Sequence, residues 1–220
     1  MQNIIQDIRR QCRFAMNGVA SASMRQKGIN YKINFGLVIQ QIKTISQKYE
    51  QSKELAEALW KEDTRELKIL ATMLYPINEF TSEKGDKWTN EIPNQEIREQ
   101  VCLNLFQELP FAEKSASEWS NTNDEDIRTT GYWLLTRLIL AKKLNKQLSI
   151  DKYLFIWNDI ISANVFLRNA ALLVLKHIGR QSKEIADSIL TKISVYDGSE
   201  ELIKQEAYNN LAFEFEFYFG

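Results

Sequence analysis

Five basic residues recur at a common place in this chain. Arg65, Arg98, Arg128, Arg168 and Lys204 each lie near the opening of an apolar-periodic stretch, spaced by 33, 30, 40 and 36 positions. Such side chains either grip phosphate or pair with carboxylate. Repeated in register they would form a ladder for a polyanion. Acids close by, among them Asp63, Glu66, Asp124, Glu125 and Asp126, allow the other reading, ion pairs between neighbouring repeats. Little else could carry chemistry. The chain has one histidine, His177, beside apolar Leu173 and Val174, and two cysteines, Cys12 and Cys102. That inventory excludes a disulfide framework and a zinc centre, and the apolar neighbours of His177 favour a core or groove-edge histidine over a triad member. No pair of carboxylates has a spacing diagnostic of acid–base work. The stretch GINYKINFG lacks the lysine–serine ending of a phosphate cradle. No metal and no other cofactor is expected.

The net charge of −1 hides a strong segregation. Residues 1–48 carry eight Lys and Arg against Asp7 alone, a balance of +7. Residues 49–123 stand at −7, residues 124–183 at +5 and the remainder at −6. Alternating blocks of this kind suit two basic lips of a groove, or else an ordinary solvated surface. No apolar run reaches the ~18 residues of a membrane span, and the first twenty residues hold no signal-peptide core. A cytoplasmic location is expected.

The elements that would position the five cations are helices. Leu67, Leu70, Ala71 and Leu74 follow helical spacing. Asp63 and Glu66 are placed like a capping box before them, and Pro76 stops the run. SKELAEALW, just upstream, is a second helix, so the charged corner between them closes a hairpin. The pattern returns in PNQEIREQVCLNLF, TNDEDIRTTGYWLLTRL, SANVFLRNAALLVLKHIG and SEELIKQEAYNNLAF. Helical segments precede these, as in FAEKSASEW and SIDKYLFIWNDII. One hairpin cannot cover its own apolar face, so neighbours must stack. An irregular period of about 30–40 residues predicts an all-α, HEAT-like α-solenoid of the ARM/HEAT type. The whole chain, 1–220, reads as one such domain: basic N-terminal capping helices over 1–48, helix pairs over 49–212 and an aromatic tail over 213–220. Stacked second helices would set the cations along a concave face.

With that order in hand, MRQKGINYKINFGLVIQQIKTISQKYEQSKELAEALWKEDTRELKILATMLY resembles the N-terminal half of the AlkD-like DNA alkylation repair family, the HEAT-like repeat DNA glycosylases. NFGLVI leading into a helix, LAEALW, the charged corner and REL.ILA..L carry the resemblance. It implies a basic groove that holds duplex DNA, alkylated or not, and excision of N-alkylated purines in base excision repair. The family's carboxylate would stabilise an oxocarbenium-like sugar, and its tryptophans would frame the cationic base. Trp88 falls where the family has its first tryptophan. The aspartate expected four residues later is Ile92, which leaves Glu91 as the nearest carboxylate. The second tryptophan falls at Leu173, while Arg128 matches the arginine that faces the DNA backbone. With that aspartate and the second tryptophan unmatched, a DNA-binding relative with weak or lost glycosylase activity is expected. Trp88 and Glu91 are the candidate catalytic pair, with Arg65, Arg98, Arg128, Arg168 and Lys204 as nucleic-acid contacts. Another placement, Trp119 with Asn123 or Asp124, supplies the chemistry but breaks the repeat alignment. A non-catalytic scaffold that binds protein or branched nucleic acid is the competing class.

Trp60, Trp119, Trp133 and Trp157 lie in helical patterns and read as core. Trp88 follows the loop-like TSEKGD and reads as facing a cleft. In the ending LAFEFEFYFG, Phe213, Phe215, Phe217 and Phe219 alternate with Glu214, Glu216 and Tyr218. An extended strip would put the phenylalanines on one face to cover an apolar patch, whereas a helix would scatter them. A monomer with no membrane partner is expected.

Overall fold

The computed structural model describes residues 2–144 and 149–220, and the regular elements among them are helices. Contacts gather into two compact units, Met1–Leu109 and Pro110–Gly220. The first holds α1 (Gln2–Phe14), α2 (Gly18–Gln26), α3 (Ile39–Ser46), α4 (Lys53–Trp60), α5 (Arg65–Leu74), α6 (Ser82–Asn90) and α7 (Gln95–Asn104). The second holds α8 (Ala112–Trp119), α9 (Glu125–Leu140), the short α10 (Ile156–Asp159), α11 (Val165–Gly179), α12 (Lys183–Lys192) and α13 (Leu202–Phe219).

Short polar side chains start these helices by taking up amide hydrogens that the first turn leaves unbonded. Asn17, Ser52, Thr81, Asn94, Asp124, Asn164 and Ser182 each accept from a backbone N–H one turn on. Thr81 is why TSEKGD is helical rather than the expected loop: it caps α6. The corner before α5 is built differently from the expected capping box. Thr64 occupies the cap position without a side-chain bond, and the Asp63 carbonyl accepts from the Ile33 amide. Glu66 reaches away from its own helix to the amides of Phe35 and Leu37, at 3.1 and 3.2 Å. Those bonds, with an isolated parallel bridge between Ile33 and Thr64, hold the segment around NFGLV against the head of α5. Gly36 is required there. Its φ is +73°, and a Cβ would lie 2.2 Å from the Asn17 carbonyl oxygen.

In the first unit α4 and α5 form a hairpin whose outer ends are tied by the Ser52 amide to the Leu74 carbonyl, 3.0 Å apart. α3, α5 and α7 then lie side by side, as stacked second helices should. In the second unit α8 and α9 form a hairpin, and α9, α11 and α13 make the corresponding row, with α12 against α11 and α13. SIDKYLFIWNDII yields only a turn at Ile150–Lys152 and the four residues of α10, less helix than its pattern suggests. Aliphatic stripes run through both cores. Leu55, Leu59, Leu67 and Leu70 are buried in the first, and Leu134, Leu138, Leu167 and Val174 in the second. Among the described residues no helix is long and apolar enough to cross a membrane.

The aromatic ending is helical, not an extended tail. α13 continues through Phe219 because Phe215 packs against Gly179, where any Cβ would lie 2.3 Å from its ring. The neighbouring Glu214 then meets Lys176 of α11 and Arg180 at its end. The alternating phenylalanines are scattered as a consequence. Phe215 is buried, while Phe213 and Phe217 remain 72% and 81% exposed.

Candidate nucleic-acid interface

The recurring cations share a position but not a fate. Arg65 is buried at the head of α5. Its Nε and Nη2 donate to the two carboxylate oxygens of Glu96 at 2.8 and 2.6 Å, and Nη1 donates to Glu66 at 3.0 Å and to the Leu37 carbonyl at 2.7 Å. Burial opposes its charge, but the Glu96 pair outweighs it and holds the guanidinium above its ordinary range. Arg128 repeats the arrangement on α9. Nε and Nη2 donate to Asp159 at 2.9 and 3.0 Å, and the Tyr132 hydroxyl donates to the same carboxylate at 2.8 Å. Its guanidinium also lies 4.6 Å from the centre of the Phe155 ring. Both arginines thus stitch one repeat to the next rather than facing solvent, which corrects the expectation that they line a ligand face. Arg98 is also buried and donates to Gln95 at 2.8 Å.

Arg168 and Lys204 differ. Arg168 is half-buried and donates to the Ser162 carbonyl six residues back, as Arg128 does to that of Thr122. It has no carboxylate partner among the described residues. Lys204 is half-buried at the first turn of α13 and pairs with Glu201 of the preceding corner.

Trp88 does not face a cleft. It is 2% exposed, and its ring stacks on that of Trp60 with centroids 4.0 Å apart and planes 3° from parallel. Tyr75 and Phe80 meet it edge-on, completing an apolar cage. The Trp60 indole N–H donates to Glu91 at 2.8 Å, so the carboxylate nearest Trp88 seals the edge of this cluster. The alternative placement fares no better. Trp119 is buried, and Asp124 accepts from the amides of Asp126 and Ile127 at the start of α9. Of the other tryptophans, Trp60 is core, and Trp133 and Trp157 are half-buried. His177 is half-buried as well, and burial followed by the neighbouring Arg180 pushes its pKa down.

An open face exists where the row α3, α5 and α7 meets solvent. A groove of about 570 Å³ runs over it, lined by Gln40 and Lys43 of α3, Gln47 just after it, Met73 of α5, Asn104 of α7 and Glu108. Lys43 is exposed and has no ion-pair partner among the described residues. The amides of Gln40 and Gln47 add donors and acceptors of the kind that meet phosphate, sugar and base edges. Lys43 belongs to the basic block of residues 1–48, expected to follow phosphates beyond a central groove; the glutamines beside it were not expected there. The signal was present in IQQIKTISQK, where a polar stripe of amides and lysine runs opposite Ile42 and Ile45.

The family model for DNA alkylation repair enzymes matches residues 16–211. The chain belongs to that family. Its fold agrees: a solved structure described as a new family of proteins related to the HEAT-like repeat DNA glycosylases, with affinity for branched DNA structures, superposes with a TM-score of 0.68. That match covers 88% of this chain and 81% of the other at 14% identity. No curated protein matches. Within this DNA alkylation repair family member, the residues on which the resemblance would place excision are the buried Trp88 and the Trp60-bound Glu91.

Proposed function

We propose that the protein binds DNA through the exposed row α3, α5 and α7 and does not use Trp88 and Glu91 for base excision. The observation that carries the first part is the groove around Lys43, which combines a cation without an ion-pair partner among the described residues with a run of amide side chains on stacked helices. Exposed Arg25, Lys27 and Lys32 add further cations without ion-pair partners among the described residues. In the second unit Arg168 is the proposed phosphate contact, for the same reason. The second part rests on burial. Trp88 is 2% exposed, with one face stacked on Trp60 and Tyr75 and Phe80 packed edge-on around it, so it offers no open face to a base.

Binding of this kind is dominated by phosphates and therefore by salt. About six contacts give a slope near −5 for the logarithm of affinity against that of salt concentration. The test measures that slope on linear, forked and three-way-junction duplexes, since the solved relative has affinity for branched DNA. Lys43→Glu and Arg168→Ala are each expected to reduce the slope by about one unit or more and to weaken binding to all sequences alike. Salt-independent binding would point to a protein partner instead. Release of 7-methylguanine from methylated DNA, abolished by Glu91→Gln, would overturn the second part.

A further inference from the structure

We propose that a second copy of this chain docks on the exposed aromatic side of α13, offering the α1–α3 side of its own first unit. α13 presents Phe213 and Phe217 at 72% and 81% exposure, and Leu202 lies farther along at 69%. Unburied aromatic area on this scale marks an interaction surface. Its surroundings narrow the occupant. Glu200, Glu201, Glu206 and Glu216 are all exposed, and residues 184–220 carry a net charge of −6. That field repels phosphates, so neither nucleic acid nor an anionic membrane fits. The occupant must be cationic and must offer apolar surface.

The first unit has such a face. Phe14 and Val19 are 84% and 83% exposed, and Met16 between them is 57% exposed. A cavity of about 390 Å³ opens beside Phe14, between α1 and α3, with Ala15 and Ile45 in its wall and Lys48 and Gln41 at its rim. Arg10 and Arg13 are exposed on the same helix, within the block of residues 1–48 whose balance is +7. Arg13 has no ion-pair partner among the described residues, while Arg10 pairs with Asp7. The cavity has room for an aromatic ring. A phenylalanine of α13 seated there would bring Glu216 toward Lys48 or Arg13. The two patches are different surfaces, so the contact is heterologous, and a pair keeps one free patch of each kind, one on each copy. The DNA-facing groove lies on the other side of α3, at Lys43 rather than Lys48, and stays open.

Sedimentation of the full chain over the micromolar range tests this. Weight-average mass is expected to rise with concentration and to fall when salt screens the opposed charges. Phe217→Glu and Phe14→Glu change exposed positions and leave both cores intact. Each alone is expected to weaken self-association by about tenfold or more. Mixed in equal amounts, the two variants still hold one intact patch of each kind between them, so they should form a 1:1 dimer and nothing larger. A wild-type chain that stays monomeric throughout would overturn the proposal. So would self-association that survives both substitutions, or a mixture that remains monomeric. DNA affinity measured on the same samples separates this outcome from failure of the DNA-binding reading.

Discussion

Replacing Arg65 with alanine is the perturbation that best separates a stitch from a ligand contact. The side chain is 2% exposed and holds Glu96 through two hydrogen bonds and Glu66 through one. Removing it leaves Glu66, which is fully buried, with two backbone donors and no cation. Glu96 is only partly compensated by solvent, since its side chain is 21% exposed. Breaking a buried pair by deleting one partner costs about 3–5 kcal/mol. For a unit of about 100 residues, 1 kcal/mol moves the midpoint by about 4 °C, so the first unit should melt roughly 12–20 °C lower. Calorimetry gives the midpoint. Fluorescence of the stacked Trp60 and Trp88 reports on the first unit, which matters because two units need not unfold as one. A cycle with Glu96→Gln should return a coupling of roughly 1–3 kcal/mol. A loss below about 1 kcal/mol would refute the reasoning. A fully stable variant with DNA affinity reduced at least tenfold would show that the guanidinium faces the ligand after all.

Arg128→Ala should cost about 3–5 kcal/mol in the second unit, because it strands Asp159, whereas Arg168→Ala should cost about 1 kcal/mol or less; urea unfolding of the two variants checks the contrast. Gly131→Ala places a Cβ 2.4 Å from the Ser120 amide nitrogen, so α8 and α9 must separate, at a cost of about 1–3 kcal/mol in the same assay. Trp88→Ala empties the centre of the aromatic cage and should cost about 3–5 kcal/mol, read as a lower melting midpoint rather than a change confined to DNA binding. His177 gives a pH dependence of known sign. Its folded pKa lies below the ordinary 6.5, so below that pH the unfolded chain binds more protons and stability falls until the folded value is passed. Glu214 adds a second decline lower down. Burial would raise its pKa, but the bonds from Arg180 and Lys176 outweigh that, so its contribution is present above 4.5 and fades as pH falls below it. Urea midpoints across that range should flatten near the upper step in His177→Gln.

The fold was legible because its evidence is redundant. Apolar residues at helical spacing recur in LKILATML, IREQVCLNL and RNAALLVL, and short caps precede several of them, so a misreading in one repeat is corrected by the next. Single elements that depend on distant partners were not legible. TSEKGD lacks apolar residues and is helical because Thr81 caps it and Trp88, one turn on, is drawn into the cage with Trp60. The FEFEF pattern is a strand pattern locally. Its helix is decided by a glycine on α11 that admits Phe215 and by two cations that meet Glu214. The surroundings of Trp88 were not legible for the same reason. Trp88 looked isolated in sequence, yet the residue that covers it lies 28 positions upstream.

Two rungs of the ladder share an interval that is visible in the sequence. A cation in the first turn of a second helix sits at the junction with the next repeat, so what it meets is set by the residue about one period downstream. For Arg65 and Arg128 that partner is Glu96 and Asp159, each 31 positions on. Trp60 and Glu91 keep the same interval, which shows the offset belongs to the repeat and not to arginine. Position 199, the equivalent for Arg168, is a serine, and Arg168 has no carboxylate partner among the described residues. A charge with no acid one period away is left to other partners, and a phosphate satisfies it without the cost of stranding a buried carboxylate. An acid 31 positions downstream thus marks Arg65 and Arg128 as cations that hold repeats together. The buried Arg98, with Thr129 at that offset, shows that lacking such an acid does not by itself leave a cation exposed.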